Sequence, residues 1–140
     1  MAFLWHAGIP FLTTVFGRLP MRLLGQGEDV PRDVAREWAR WGRHRDYILS
    51  EARPRGGLHF ARYAGPLRSY ALLDDSYAPR RAVEALAAGF TATSPEVRAV
   101  SPRDLGLRAI GHFGFFRPAT GKALWTESVD WLRAALGRVA

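Results

Sequence analysis

The chain has 140 residues, of which 48% are hydrophobic and 12% aromatic, which is enough apolar material for a globular core and argues against disorder. It contains no cysteine, which excludes disulfides, zinc-thiolate sites and a thiol nucleophile, and favours a reducing, cytoplasmic location. The net charge of +7 comes almost wholly from arginine, and acidic residues interrupt its densest stretch, so we expect a solvated basic surface and no nucleic-acid partner.

Short helical elements are predicted for the first part of the chain. The apolar segment from Phe3 to Leu24 is interrupted by glycines and prolines, which favours short helical turns or a covering loop. Because no apolar run approaches the length of about 18 residues that a bilayer requires, no membrane span is expected. An amphipathic pattern that follows several acidic residues then predicts a helix over about residues 31–43, with Trp38 and Trp41 on one face.

Strands and helices alternate in the second part of the chain. A proline and a Gly-Gly pair predict a flexible joint at residues 51–57, which divides the chain into segments 1–57 and 58–140. The hydrophobic pattern beyond it predicts a strand, a helix, a second strand and a second helix, at Leu67–Leu73, Pro79–Phe90, Val97–Val100 and about Gly121–Gly137. This order is typical of an α/β fold with parallel strands. Two strands make an incomplete sheet, so we expect the chain to lack the strands that would complete its core.

Two residues near the predicted strand ends are candidates for acid–base chemistry. Asp75 follows the first strand in the sequence Leu-Leu-Asp-Asp-Ser-Tyr-Ala-Pro, and His112 lies after the second strand in Ile-Gly-His-Phe-Gly. The carboxyl ends of parallel strands form the edge at which α/β proteins bind their ligands. A carboxylate there can hold a histidine in one tautomer, and the histidine can act as a general base. Taken singly, Asp75 is also explained as a turn or helix cap, and His112 as a packed residue.

In these segments the chain resembles the α/β-hydrolases, and among them a bacterial set of predicted α/β-hydrolases of uncharacterised substrate. The similarity spans nearly the whole chain and rests on these segments: Val30-Pro31 with Glu37–Trp41, Leu73–Pro79, Ile110–Arg117, and Leu124-Trp125 leading into Trp131-Leu132. The resemblance implies a partial α/β-hydrolase fold. A helical, cap-like segment at residues 1–57 would precede the last two parallel strands and their helices at residues 58–140.

The resemblance also implies a catalytic triad that is incomplete in this sequence. Asp75 matches the triad acid of the family and His112 matches the triad base, while Asp74 is then a capping or supporting neighbour. The nucleophile elbow of the family, Gly-x-Ser-x-Gly, occurs nowhere in the sequence. We therefore expect the chain to be the C-terminal part of a truncated serine hydrolase of the esterase type. The complete enzyme would hydrolyse a small-molecule acyl ester, and this chain would be inactive alone.

Three aromatic residues are candidate substrate contacts on the same grounds. They are Trp38 and Trp41 in the cap-like segment and Phe113 beside the candidate base. A tryptophan stripe at helical spacing is, however, more often part of a core. No metal or cofactor is expected, because the spacing of the histidines suggests no metal site and no phosphate-binding loop or dinucleotide fingerprint occurs.

A function of a different class is the alternative. A non-catalytic short α/β protein would keep these segments as a scaffold and bind a partner, or self-associate, through an exposed sheet edge. The apolar segment from Phe3 to Leu24 discriminates between the hydrolase hypothesis and this alternative, because a monomer would have to bury the segment internally. A basic nucleic-acid binder, which would bind DNA with a steep salt dependence, ranks last.

Overall fold

The computed structural model describes residues 3–25, 27–51 and 59–137 of the chain, which divides into two compact units, Met1–Leu58 and His59–Ala140. The joint predicted at residues 51–57 lies outside the described residues except for Glu51, which ends a 3-10 helix. The predicted boundary between residues 57 and 58 also lies outside them.

Two helices and a short hairpin-like pairing form the first unit. A π-helical turn, Leu4–Gly8, leads into α1 (Ile9–Phe16), and β1 (Arg18–Leu19) pairs antiparallel with β2 (Val30–Pro31). The second helix, α2 (Arg32–Gly42), begins directly after Pro31, whose fixed backbone angle suits a helix start. The helix predicted over about residues 31–43 is therefore confirmed. The described part of this unit also contains 3-10 helices at Met21–Leu24 and Tyr47–Glu51.

The core of the first unit is small and leaves much of the apolar segment uncovered. Alanines on α2 allow α1 to approach closely; the buried apolar residues of this core are Ile9, Leu19, Ala35 and Ala39, and Thr13 of α1 is buried as well. The segment from Phe3 to Leu24 forms the short helical elements that its sequence predicts. Several of its large side chains stay exposed, most of all Phe3 at 79%, Leu23 at 75% and Phe11 at 66%. Internal burial of this segment is thus incomplete.

A parallel pair of strands organises the second unit. The strands β3 (Arg68–Leu72) and β4 (Glu96–Val100) pair in register from Arg68 opposite Glu96 to Leu72 opposite Val100. The helix α3 (Arg80–Ala87) connects them, and the long helix α4 (Pro118–Leu136) follows. The predicted order of strands and helices is confirmed, as is the general α/β class. The last helix begins before the predicted Gly121 because Pro118 occupies its first turn.

The core of the second unit fixes the carboxyl ends of both strands. Its buried residues are Leu72, Val100, Ile110 and Leu124, and Leu124 on α4 has no exposed surface. Each such side chain contributes about 1.5–3 kcal/mol when fully buried. Because Leu72 and Val100 end their strands and Ile110 lies two residues before His112, this packing brings the turn after β3 and the loop before α4 together. Neither α4 nor any other helix in the described ranges is long and apolar enough to cross a membrane.

Charged side chains cover the opposite, amino-terminal end of the sheet. Arg68 binds Glu96 at 2.7 Å and Glu127 of α4 at 3.2 Å, and Arg98 binds the same Glu127 oxygen at 3.1 Å. The indole N–H of Trp131 donates to Glu96 at 2.9 Å, and the Arg68 guanidinium lies 5.0 Å from the centre of the Trp131 ring. This network links both strands to α4.

Candidate functional site

Asp75 lies in a tight turn directly after β3. The backbone N–H of Asp75 donates to the Leu72 carbonyl at 3.0 Å, which turns the chain away from the sheet. One carboxylate oxygen, Oδ1, accepts the backbone N–H groups of Tyr77 at 2.8 Å and Ala78 at 3.1 Å. This is the local pattern that favours aspartate in turns. The side chain is only 6% exposed, and its second oxygen, Oδ2, is left for another partner.

That partner is His112, whose ring nitrogen Nδ1 lies 2.8 Å from Asp75 Oδ2. Burial alone would raise the pKa of Asp75, but the hydrogen bonds from His112, Ala78 and Tyr77 outweigh it and hold the pKa below its usual value. The carboxylate is therefore ionised at neutral pH, so the hydrogen between the two groups belongs to Nδ1.

The other ring nitrogen of His112, Nε2, has no hydrogen-bond partner within the part of the chain that the structure describes. In the tautomer that Asp75 selects, Nε2 carries a lone pair and can accept a proton. The His112 side chain is 41% exposed, so a substrate group or a further side chain can reach it. The pair thus has the arrangement of a general base with its orienting acid.

Two aromatic rings flank the imidazole. The Phe113 ring lies edge-on to it, with 4.8 Å between centroids, and the Tyr77 ring lies tilted at 5.4 Å. Phe113 is 49% exposed, so it adds apolar surface beside the base. Tyr77 is not among the site residues predicted from the sequence. Its position two residues after Asp75, in the turn that the aspartate closes, is the signal that could have identified it.

The loop that carries His112 is held from several sides. Asp74 Oδ2 accepts the backbone N–H groups of Ile110 at 2.7 Å and Gly111 at 3.0 Å. Gly111 has a φ of +67°, a left-handed conformation that glycine adopts without strain. Beyond the histidine, the Thr120 hydroxyl donates to the Gly114 carbonyl, and a β-carbon on Gly114 would overlap the Ile110 side chain. Glycine is therefore favoured at 111 by the left-handed backbone and at 114 by the close approach of the Ile110 side chain.

The structure brings three of the five sequence-predicted site residues together. Asp75, His112 and Phe113 adjoin one another, whereas Trp38 and Trp41 lie on α2 in the first unit. The Trp41 ring contacts Tyr47 edge-to-face, with 5.8 Å between centroids, and Trp38 is 37% exposed. A role for either tryptophan in binding substrate stays a prediction.

No hydrogen bond joins a serine to His112 in residues 3–25, 27–51 and 59–137. Ser101 instead forms a reciprocal cap with Asp104 after β4, and the Ser128 hydroxyl donates to the Leu124 carbonyl at 2.6 Å. Among the same residues, no three histidine or acidic side chains gather in a way that could hold a metal ion.

Comparison with known proteins adds no relative: no protein-family model, no curated protein and no solved structure matches this chain. The α/β-hydrolase resemblance therefore stays a prediction from the residues, beside the geometry of the Asp75–His112 pair.

Proposed function

We propose that this chain supplies the acid and the base of a Ser-His-Asp triad in an α/β-hydrolase-type esterase. The nucleophilic serine would lie on polypeptide that this sequence does not contain. The single observation that carries the proposal is the 2.8 Å hydrogen bond between His112 Nδ1 and Asp75 Oδ2, combined with an accessible Nε2 that has no partner among the described residues. We also propose a cytoplasmic location, which the cysteine-free composition supports.

The proposed reaction assigns each group one task. His112 Nε2 accepts the proton of the serine hydroxyl as the serine oxygen attacks the acyl carbon of an ester. Asp75 stays ionised and stabilises the imidazolium that forms. The imidazolium then returns the proton to the departing alcohol as the ester C–O bond breaks. Water repeats the cycle on the acyl-enzyme and releases the carboxylic acid. Phe113 would provide an apolar wall beside the acyl or alcohol group of the substrate.

The first experiment identifies the native species and tests it for an activated serine. An antibody against residues 121–140 isolates the protein from its source cells, and the isolate is treated with a fluorophosphonate probe that reacts with activated serines. We expect a labelled species clearly heavier than 15.6 kDa, the mass of this chain. An unlabelled species, at this mass or above it, would contradict the proposal. The 140-residue chain by itself should hydrolyse no ester at a triad-like rate.

Two histidine variants make the labelling specific to the site. His112→Ala in the labelled species should slow labelling by about 10³-fold or more, because removing a triad member removes most of the catalysis. His44→Ala is the matched control, since His44 is an exposed histidine of the first unit with no carboxylate partner in the described residues. Undiminished labelling of the His112→Ala variant would remove His112 from the mechanism.

We keep one alternative, a non-catalytic protein that self-associates. Two observations favour it: β3 and β4 each have a single neighbouring strand within the described residues, and the side chains of Phe3, Phe11 and Leu23 are exposed. Sedimentation velocity on the purified chain tests it. A dimer that forms at micromolar concentration, together with a native species of 15.6 kDa that no probe labels, would favour the alternative over the hydrolase.

A further inference from the structure

Asp74 and Asp75 are consecutive carboxylates that bind two different parts of one loop. Asp75 binds the ring of His112, whereas Asp74 Oδ2 accepts the backbone N–H groups of Ile110 at 2.7 Å and Gly111 at 3.0 Å. Both acids lie in the turn that follows β3. A shift of this turn therefore moves both carboxylates together, the one that binds the His112 ring and the one that binds the backbone before it.

The two N–H groups that Asp74 binds lie directly before the histidine. Ile110 is 5% exposed and packs in the core of the second unit, and Gly111 turns the chain with a φ of +67°. Without the carboxylate, these two N–H groups have no other acceptor among the described residues, and the loop keeps only the bond between the His112 ring and Asp75 as its hydrogen-bonded link to the turn. The core would still hold Ile110, but the direction in which the chain leaves Gly111 would no longer be fixed.

We infer that Asp74 is a positioning residue that sets the hydrogen bond between His112 and Asp75. For its catalytic meaning this inference rests on the proposed function, since it assigns to Asp74 the placement of the proposed base. The structural part of the inference does not depend on that function: Asp74 holds the loop backbone in the position at which the His112 ring meets Asp75. The effect is one of geometry more than of stability, because Asp74 is exposed and water competes for its hydrogen bonds.

The test uses the full 140-residue chain labelled with ¹⁵N. Nuclear magnetic resonance reports the tautomer of the His112 ring, and hydrogen exchange reports the protection of the Ile110 and Gly111 amides. In Asp74→Ala we expect loss of the Nδ1-protonated tautomer signal and exchange of both amides that is faster by about threefold to tenfold. In Asp74→Asn, whose amide oxygen can still accept, we expect most of the tautomer signal to return.

A second acid at the same edge of the sheet is the matched control. Asp104 accepts the Ser101 backbone N–H at 2.8 Å after β4, and within the described ranges none of its hydrogen bonds reaches the His112 loop. Asp104→Ala should lower stability to a similar extent and leave the His112 tautomer unchanged. Equal loss of the tautomer signal in both variants would overturn the inference, because the effect would then be one of general stability.

The outcomes for Asp74 and for the proposed function are separable. An unchanged His112 tautomer in Asp74→Ala would overturn the positioning role whatever the fluorophosphonate experiment shows. If Asp74→Ala does not fold, Asp74→Ser, whose hydroxyl lies one bond closer to the backbone than the carboxylate oxygens, is compared with Asp104→Ser, and faster exchange of Ile110 and Gly111 in the first alone supports the inference. Equal exchange in the two variants contradicts it. Failure of the native species to label would remove the hydrolase proposal but not this structural link.

Discussion

The two ends of the parallel strand pair both carry charged side chains, but they use them differently. At the amino-terminal end, Arg68 and Arg98 each bind a carboxylate, and Glu127 receives both of them on one oxygen. At the carboxyl-terminal end, Asp75 holds one nitrogen of His112 and the other nitrogen has no partner among the described residues. The first arrangement pairs charges with one another. The second leaves a basic lone pair accessible.

This difference separates a structural role from a chemical one. A network in which opposite charges pair with one another can stabilise the folded state, and its paired groups are not available to a substrate. An oriented histidine with a spare acceptor atom can take a proton from a group that arrives from outside. Variants at the two ends should accordingly affect different measurements, stability at one end and the state of the imidazole at the other.

The largest effect is expected from Asp75→Asn. The amide can donate as well as accept, so it no longer selects the tautomer that leaves Nε2 free. We expect loss of the Nδ1-protonated signal in the 140-residue chain. In the species that carries the nucleophile, we expect labelling to slow by about 10²- to 10⁴-fold. Magnetic resonance of the ring and the rate of fluorophosphonate labelling are the measurements.

The neighbouring acid supplies the control for that experiment. Asp74→Asn changes the charge of the same turn but keeps an oxygen that can accept the N–H groups of Ile110 and Gly111. It should slow labelling much less than Asp75→Asn. Equal losses would show that the turn as a whole matters, and would leave the catalytic acid unassigned.

The second prediction concerns the amino-terminal end. Glu127→Gln removes the ion-pair partner of Arg98 and one of the two carboxylate partners of Arg68, whose side chain is only 14% exposed. Because these groups are partly solvated, we expect the free energy of unfolding to fall by about 1–2 kcal/mol. The tautomer of His112 should not change. Urea denaturation and ring resonances of the same sample provide both measurements.

An exposed ion pair calibrates that result. Arg80 and Glu84 lie one turn apart on α3, with 2.6 Å between Arg80 Nε and Glu84 Oε1, and both side chains are largely solvated. Glu84→Gln should therefore change the free energy of unfolding by no more than about 0.5 kcal/mol. A change in the His112 tautomer on substitution of Glu127 would show that the two ends of the sheet are coupled and do not have separate roles.

The sequence predicts the elements well where local signals agree. Pro31, Pro66 and Pro79 punctuate the chain near the starts of α2, β3 and α3, and the apolar runs between them have helical or strand spacing. The proximity of Asp75 and His112 was also predictable, because both lie on segments that follow parallel strands, whose carboxyl ends meet at one edge of a sheet.

Contacts between residues distant in sequence were not predictable in the same way. Nothing local indicates that Asp74 reaches the backbone of Ile110 and Gly111, or that Arg68 and Arg98 share Glu127. The pattern of the segment Phe3–Leu24 predicts apolar helical elements. It does not predict what fraction of their surface remains exposed after packing. Hydrophobic spacing identifies a face and does not identify what covers that face.

The smallest effect is a dependence of stability on acid pH that arises at the carboxyl-terminal end. Burial raises the pKa of Asp75, but its hydrogen bonds from His112, Ala78 and Tyr77 lower it more, and a backbone hydrogen bond from Ser101 lowers the pKa of Asp104. A lowered pKa means that the ionised acid stabilises the fold above about pH 4, which is close to the usual pKa of aspartate in an unfolded chain. That contribution is lost as the pH falls through the folded value. The free energy of unfolding should therefore decline below about pH 4, and the difference between the wild type and Asp75→Asn should shrink over the same interval. Denaturation in urea at a series of acid pH values measures both curves. If the difference in free energy of unfolding between the wild type and Asp75→Asn stays constant to the lowest pH, the histidine and the turn do not hold the Asp75 carboxylate in its ionised form.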